Sequence, residues 1–214
     1  MTHSATYEAI ILKAYDVGEA DRFLILLTKE RGRIAARARG ARRLHSRLGG
    51  HLLPFQHVMV SLAEGSAGFL VTSVQKKTHT QPLSIVPFLS AQQGIEVLLA
   101  LLHDEEPLPD VFRATLQFIG SCQEQNSPSV LPYTITLLAL LGLLPDLREA
   151  NSDLPLNNEE RSFARQCCAG EWHHLPPLSE KARVNLQRHC SLILAEQSIR
   201  TLCAPKIAMA ITNR

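Results

Sequence analysis

Between Lys29 and Arg47 the chain reads KERGRIAARARGARRLHSR, with eight Lys/Arg residues and a single acid, Glu30. Arg31, Arg33, Arg37 and Arg39 are odd-numbered, whereas Ile34, Ala36 and Ala38 are even-numbered. Alternate side chains of a β-strand share a face. A strand here therefore shows a row of guanidinium groups on one side and small apolar groups on the other. Gly32 and Gly40 bracket it as turn residues. Each guanidinium is a planar fork of donors that matches phosphate oxygens, so a phosphate backbone is the natural partner. Lys29 at the start, and Arg42, Arg43 and Arg47 beyond Gly40, extend the same charge. The candidate binding set is thus Lys29, Arg31, Arg33, Arg37, Arg39, Arg42, Arg43 and Arg47, with Lys76 and Lys77 at its rim. A solvated charged face is the plain alternative. The single sign of the run and its preference for Arg over Lys argue against it.

Other residue groups offer less chemistry. The chain has no Walker A sequence, no Gly-rich dinucleotide fingerprint, no HExxH and no GxSxG. Asp16, Glu19 and Asp21 mimic a metal-binding carboxylate cluster, but acids at a turn between strands are commonly solvated. Glu19 and Asp21 are also placed to pair with nearby arginines. Cys167-Cys168 with His173-His174 is the one zinc-like constellation, yet adjacent cysteines fit poorly round one tetrahedral ion and no CxxC knuckle is present. No metal and no cofactor are expected. Trp172 beside them is expected to anchor this segment to a helical bundle. The five cysteines are odd in number and irregularly spaced, which suits a reducing cytoplasm better than a disulfide framework. No signal peptide is evident, and the apolar stretch between Pro132 and Pro145 is shorter than the about 20 residues a membrane helix needs.

These groups must be held by a fold. Residues 1–80 carry twelve Lys/Arg against six Asp/Glu, and residues 81–214 carry ten against fourteen. A basic first third followed by a mildly acidic remainder suggests a polyanion-binding module joined to a second body. Tyr7–Asp16, Arg22–Thr28, the arginine strand, Leu52–Ala63 and Ala67–Gln75 read as five strands, the last two joined by Glu64-Gly65-Ser66. Arg22–Thr28 is nearly continuously apolar, as a central strand would be, and Phe23 in such a strand is more often a core residue than a platform for bases. Tyr15 shares parity with Lys13, so both are expected to face out. Ala41–Gly50 is expected to hold a short helical turn. Five short strands in one small basic module suggest an OB-fold barrel.

After Pro82 the period lengthens to about 3.6 residues. Phe88, Ala91, Ile95, Leu98, Leu99 and Leu102 share one helix face, and Asp110 is expected to cap the next helix. Further helices are expected at 130–144, 157–168 and 179–202, the last with Arg183, Gln187 and Arg188 on its wet side. The expected class is α+β: a five-stranded OB-fold barrel (1–80), then an α-helical bundle (81–214) with an irregular segment at 145–177.

The order of short pieces in this barrel resembles a known family. Gly18-Glu19-Ala20-Asp21-Arg22, Leu27-Thr28-Lys29-Glu30-Arg31-Gly32, Arg39-Gly40-Ala41-Arg42-Arg43 with Ser46-Arg47, and Leu53-Pro54-Phe55 follow one another as in the amino-terminal domain of RecO, the bacterial recombination mediator. The resemblance covers about residues 7–75. It implies an OB-fold followed by a helical domain, and a non-enzymatic protein of recombinational repair in the cytoplasm, at the nucleoid. It further implies binding of single- and double-stranded DNA, annealing of complementary strands, contact with the acidic tail of single-strand-binding protein and, with RecR, loading of RecA. Many members carry a four-cysteine zinc module, and the paired cysteines it needs are missing here. Two rival readings of the arginines remain: an OB-fold protein for structured RNA, and a scaffold that grips an acidic peptide. Sparse aromatic residues in the barrel lead to the expectation that phosphate contacts dominate any nucleic-acid binding.

Overall fold

The computed structural model describes residues 3–46, 48–78, 83–124, 130–144, 155–170, 172 and 175–212, with side chains of the last stretch described to residue 197. Five strands come first: β1 (His3–Val17), β2 (Asp21–Thr28), β3 (Gly32–Ala38), β4 (His57–Gly65) and β5 (Gly68–Lys76). Five helices follow: α1 (Ile85–Leu101), α2 (Pro109–Gln123), α3 (Val130–Leu140), α4 (Asn158–Ala169) and α5 (Glu180–Thr212). The class is α+β, as the sequence indicates. The chain divides into two compact units, Met1–Ala91 with Leu102–Pro128, and Gln92–Leu101 with Ser129–Arg214.

In the first unit the strands close a barrel in the order β1-β2-β3-β5-β4. Closure depends on β1, which at 15 residues is long enough to pair with two neighbours. Its first half runs antiparallel to β4, from His3↔Glu64 to Ile10↔His57. Its second half runs antiparallel to β2, from Ala9↔Thr28 to Val17↔Asp21. A bulge between Ile11 and Lys13 lets β1 turn from one partner to the other. The bulge also explains why Ile10, Ile11 and Leu12 are all buried where strict alternation would expose one of them. β3 and β5 are parallel and share only two register pairs, Ala36↔Phe69 and Arg37↔Leu70. The mixed, closed five-stranded barrel with this order is that of an OB-fold.

Even-numbered residues of β3 point inward as the parity requires: Ile34, Ala36 and Ala38 are buried with Leu24, Leu26, Val58, Val60 and Leu62 in one core. The wall is thin at β3 because two of its three core residues are alanines. The segment before β4 is pinned to the bulge. The Phe55 amide donates to the Ile11 carbonyl (2.8 Å) and the Ile11 amide donates to the Gln56 carbonyl (3.0 Å). Phe55 adopts a positive φ of 68° there, a conformation a bulky residue takes only when its surroundings fix it. Its ring meets Phe88 edge-on at 5.6 Å. α2 belongs to the same unit, and the Phe112 ring lies 6.2 Å from that of His57 on β4. The α2 cap differs from expectation. Pro109 occupies the first turn and Leu108 the cap position, while Asp110 sits inside the helix and pairs with Arg113.

In the second unit, α3 is buried along most of its length. α4 starts with a full capping box: Asn157 Oδ1 accepts from the Glu160 amide and Glu160 Oε2 accepts from the Asn157 amide, each at 2.9 Å. Glu160 Oε1 also accepts from Asn185 Nδ2 of α5, which explains a carboxylate only 2% exposed. Trp172 does anchor its segment, donating from Nε1 to Thr136 Oγ1 (3.2 Å) and meeting Tyr133 edge-on at 6.0 Å. α5 buries Ala182, Leu186 and Cys190 and exposes Arg183, Gln187 and Arg188. The expected break at Ser127-Pro128 lies outside the described residues.

Candidate nucleic-acid interface

The arginine row divides into two environments. Arg33 and Arg37 stand on β3 itself, while Arg31 and Arg39 flank it in the turns at either end. At the starting end, Arg31 donates to Glu64 Oε2 (2.9 Å) and to Glu105 Oε2 (2.6 Å). Its guanidinium also lies 4.9 Å from the centre of the Phe69 ring. A hydrogen bond with the Tyr7 side chain, and then those with the two carboxylates, push its pKa further upward. Arg33 Nε donates to Asp104 Oδ1 at 2.7 Å.

Those acids belong to a segment stitched to the strand. Asp104 forms a parallel bridge with Arg33, and the Glu105 amide donates to the Arg33 carbonyl at 2.9 Å. The segment thereby covers a stretch of β3 edge that β5 does not pair with. Gly32 makes the approach feasible. Its φ is +66°, and a Cβ on it would lie 1.8 Å from the Glu106 carbonyl oxygen.

The far end is open. Arg37 donates to Asp21, with Nε 2.9 Å from Oδ2, and its side chain remains 52% exposed. Asp21 also accepts from the Gly40 amide (2.8 Å). That bond, and then the ion pair with Arg37, hold its carboxyl below the ordinary value despite partial desolvation. Arg39 and Arg43 are exposed, and no carboxylate within ion-pair distance is found for either among the described residues. Arg42 is a staple as well as a surface charge. Its amide donates to the Ala20 carbonyl, Nη1 to the Gly18 carbonyl (3.0 Å), and Nε lies 3.3 Å from Asp16. Lys29 is exposed at the other end of the row. Arg47 lies outside the described residues.

Two expectations need correction. Lys76 and Lys77 do not form a free rim. Lys77 Nζ sits 2.6 Å from Glu8 Oε1, and Lys76 Nζ reaches the buried Gln56 amide oxygen once that amide is turned to satisfy its neighbours. The acids of the first turn are ion-paired, Asp21 as expected: Asp16 pairs with Arg22 and Arg42, and Asp21 with Arg37. Phe23 is not a core residue. It is 37% exposed, because β2 alternates at its start and places Leu24 and Leu26 inward. Tyr15 faces out as expected, at 48% exposed, directly opposite Phe23. Only the antiparallel pairing of β1 with β2 reveals this, since it puts Phe23 across from an outward tyrosine.

Among the described residues no three His, Cys, Asp or Glu side chains converge on a metal position. Cys167 is buried, and burial pushes its thiol pKa up. His173 and His174 lie outside the described residues. No described helix is long and apolar enough to cross a membrane.

The class that the structure defines is a closed five-stranded barrel of OB order with a one-sided arginine strip. Comparison narrows it: the sequence model described as the amino-terminal domain of recombination protein O matches residues 1–75. The chain is 48% identical over 137 residues to the DNA repair protein RecO of a Nocardioides species, covering 64% of this chain and 49% of that protein. It is 31% identical over 143 residues to the DNA repair protein RecO of Myxococcus xanthus and 33% identical over 151 residues to that of Synechococcus elongatus, covering 59% and 57% of those proteins. The chain is thus similar in sequence to RecO proteins, its first 75 residues to their amino-terminal domain. It spans about half to three fifths of the length of these curated relatives.

Proposed function

We propose that this chain is a non-catalytic DNA-binding mediator of recombinational repair, acting in the cytoplasm at the nucleoid. In this reading it binds single- and double-stranded DNA and anneals complementary strands. With RecR and single-strand-binding protein it helps to load RecA. The observation that carries the reading is the open end of the arginine row, where Arg37, Arg39 and Arg43 are exposed on one side of the barrel. Arg42 adds charge while holding the turn at Gly18. Lys29, Arg31, Arg33 and Arg47 complete the proposed basic path, and the acids that hold Arg31 and Arg33 lower their share of it. Neutralising the phosphates of two strands lets them approach and pair without nucleotide hydrolysis. The barrel, 1–80, is proposed as the DNA module and the helical remainder, 81–214, as the body that meets protein partners.

The test is annealing of complementary oligonucleotides coated with single-strand-binding protein, together with the salt dependence of binding. If about five phosphates are engaged, log K falls with log salt at a slope of about −3.5 for single strands. Arg37→Glu with Arg39→Glu is expected to cost at least about 100-fold in affinity, since two contacts are lost and two repulsions added, with the fold retained. A salt-independent affinity, or a folded double variant that binds as the wild type does, overturns the reading.

The pairing of Arg31 and Arg33 with the chain's own acidic segment lends support to a second reading, in which the basic strip takes an acidic peptide. Titration with the acidic tail peptide of single-strand-binding protein, repeated with Arg113, Arg183 and Arg188 variants, separates a barrel site from a helical one.

A further inference from the structure

The outer wall of the barrel carries two aromatic rings, in line with Arg37, that phosphate binding does not use. Tyr15 of β1 stands opposite Phe23 of β2, Phe23 stands opposite Arg37 of β3, and Arg37 stands opposite Leu70 of β5. Both aromatic rings are substantially exposed. The next outward row adds Ile25, paired with Ala35, whose small side chain keeps the wall low beside the rings. Neighbouring strands lie about 4.8 Å apart, so the two rings and the guanidinium form one short, nearly straight series across three strands. A pair of exposed aromatics in register contributes modestly to sheet stability on its own, about 0.2–1 kcal/mol. That gain does not require solvent exposure or a cation at the end of the row.

The geometry points to Tyr15 and Phe23 as a stacking platform for unpaired bases of single-stranded DNA, with Arg37 and Arg39 taking the adjoining phosphates. This rests on the DNA-binding reading and sharpens it to one form of the ligand. Two features select that occupant. A base offers a flat π-face that any aromatic ring accepts without regard to sequence. The row ends in the open, cationic end of β3 rather than in the end closed by Asp104 and Glu105, which matches an apolar face joined to an anionic backbone. A duplex hides its base faces in the stack, so the platform separates single strands from double strands, which the arginines alone cannot do. An acidic peptide would use the cations and gain little from the rings.

The experiment compares wild type with Tyr15→Ala/Phe23→Ala, on a single strand and on a duplex of equal length at one salt concentration. The double variant is expected to lose about tenfold or more on the single strand, given the usual worth of one stacked base. On the duplex it should change less than about threefold, and its salt slope should match the wild type because no phosphate contact is removed. Tyr15→Phe with Phe23→Trp should retain binding. A second arm needs no variant: wild-type protein should bind an abasic oligonucleotide at least about tenfold more weakly than the same oligonucleotide with bases. Equal binding of the abasic and base-bearing strands overturns the platform, and so does a folded alanine variant with wild-type single-strand affinity. If Arg37→Glu/Arg39→Glu abolishes binding in that case, the platform falls and the DNA-binding reading stands. If neither pair of substitutions changes affinity, both fall.

Discussion

At the start of β3, Arg31 lies against Glu64 and Glu105, and Arg33 lies against Asp104. At its end, Arg37 pairs with Asp21, and Arg39 forms no ion pair among the described residues, acting on Asp21 only through its charge. The four arginines share one parity and one side of the barrel. Their neighbours divide them. A guanidinium that already holds two carboxylates and an aromatic ring has its donors occupied, and a phosphate must displace those partners before it can bind. One that is half exposed with a single partner needs only to exchange water or one ion pair. Charge in the sequence is therefore a poor guide to charge available to a ligand. The first end of the row serves mainly to hold the 104–106 segment on the sheet edge, and the second end serves the surface.

The largest expected effect falls on the closed end. Gly32→Ala would place a Cβ 1.8 Å from the Glu106 carbonyl at a positive φ. The acidic segment must then lift from β3, and the fold should lose about 2–3 kcal/mol in urea unfolding. DNA affinity should change little, because the open end is untouched. A variant of wild-type stability would show that the segment is not held closely against Gly32. A folded variant with strongly altered affinity would show that the two ends are not separate.

Much of this was legible in the chain, and the unreadable parts have a common cause. The parity of the arginine strand was readable because alternation in a strand is local, and Ile34, Ala36 and Ala38 are indeed inside. The helix at α4 was readable because Asn157 and Glu160 form its cap within four residues. The partners of Arg31 and Arg33 were not readable. Asp104 is 71 positions from Arg33, and Glu105 is 74 from Arg31. No periodicity reports which distant loop will reach an edge. Phe23 was misassigned because RFLILLT looks uniformly apolar, and a nearly continuous run conceals which residues face out. Its register against Tyr15, not its hydrophobicity, decides its side. Lys77 was lost to Glu8 for the same reason, since β1, β4 and the end of β5 meet only in the closed barrel.

A reciprocal pair of truncations sharpens the contrast. Arg31→Ala removes two partly exposed ion pairs and a cation–π contact, together worth about 1–2 kcal/mol of stability, with less than about threefold effect on single-strand affinity. Arg39→Ala should leave stability within about 0.5 kcal/mol while reducing affinity and shrinking the salt slope by about 0.7–1. Chemical denaturation and a salt titration on the same two proteins decide it. If both variants lose affinity and neither loses stability, the whole row contacts DNA and the division described above is wrong.

The smallest effect concerns Asp21, the acid that pairs with Arg37 at the open end. Its pKa is lowered in the folded chain, first by the Gly40 amide and then by Arg37, relative to an ordinary value of 3.8. A lowered pKa means that the folded state favours the charged carboxylate. The stabilisation is present above pH 3.8 and is lost as pH falls through the lower, folded value. Asp21→Asn keeps an oxygen for the Gly40 amide and removes the charge. Its melting temperature should sit slightly below that of the wild type at neutral pH, and the gap should close as the pH drops below the ordinary carboxylate range. At neutral pH the same substitution frees Arg37, and single-strand affinity should rise by up to about fivefold, the scale of one exposed ion pair. A fall in affinity would mean that Asp21 positions Arg37 for phosphate rather than competing with it. The open end would then be a built site, with its carboxylate as part of the design, and the contrast with the closed end would rest on the number of acids rather than on their presence.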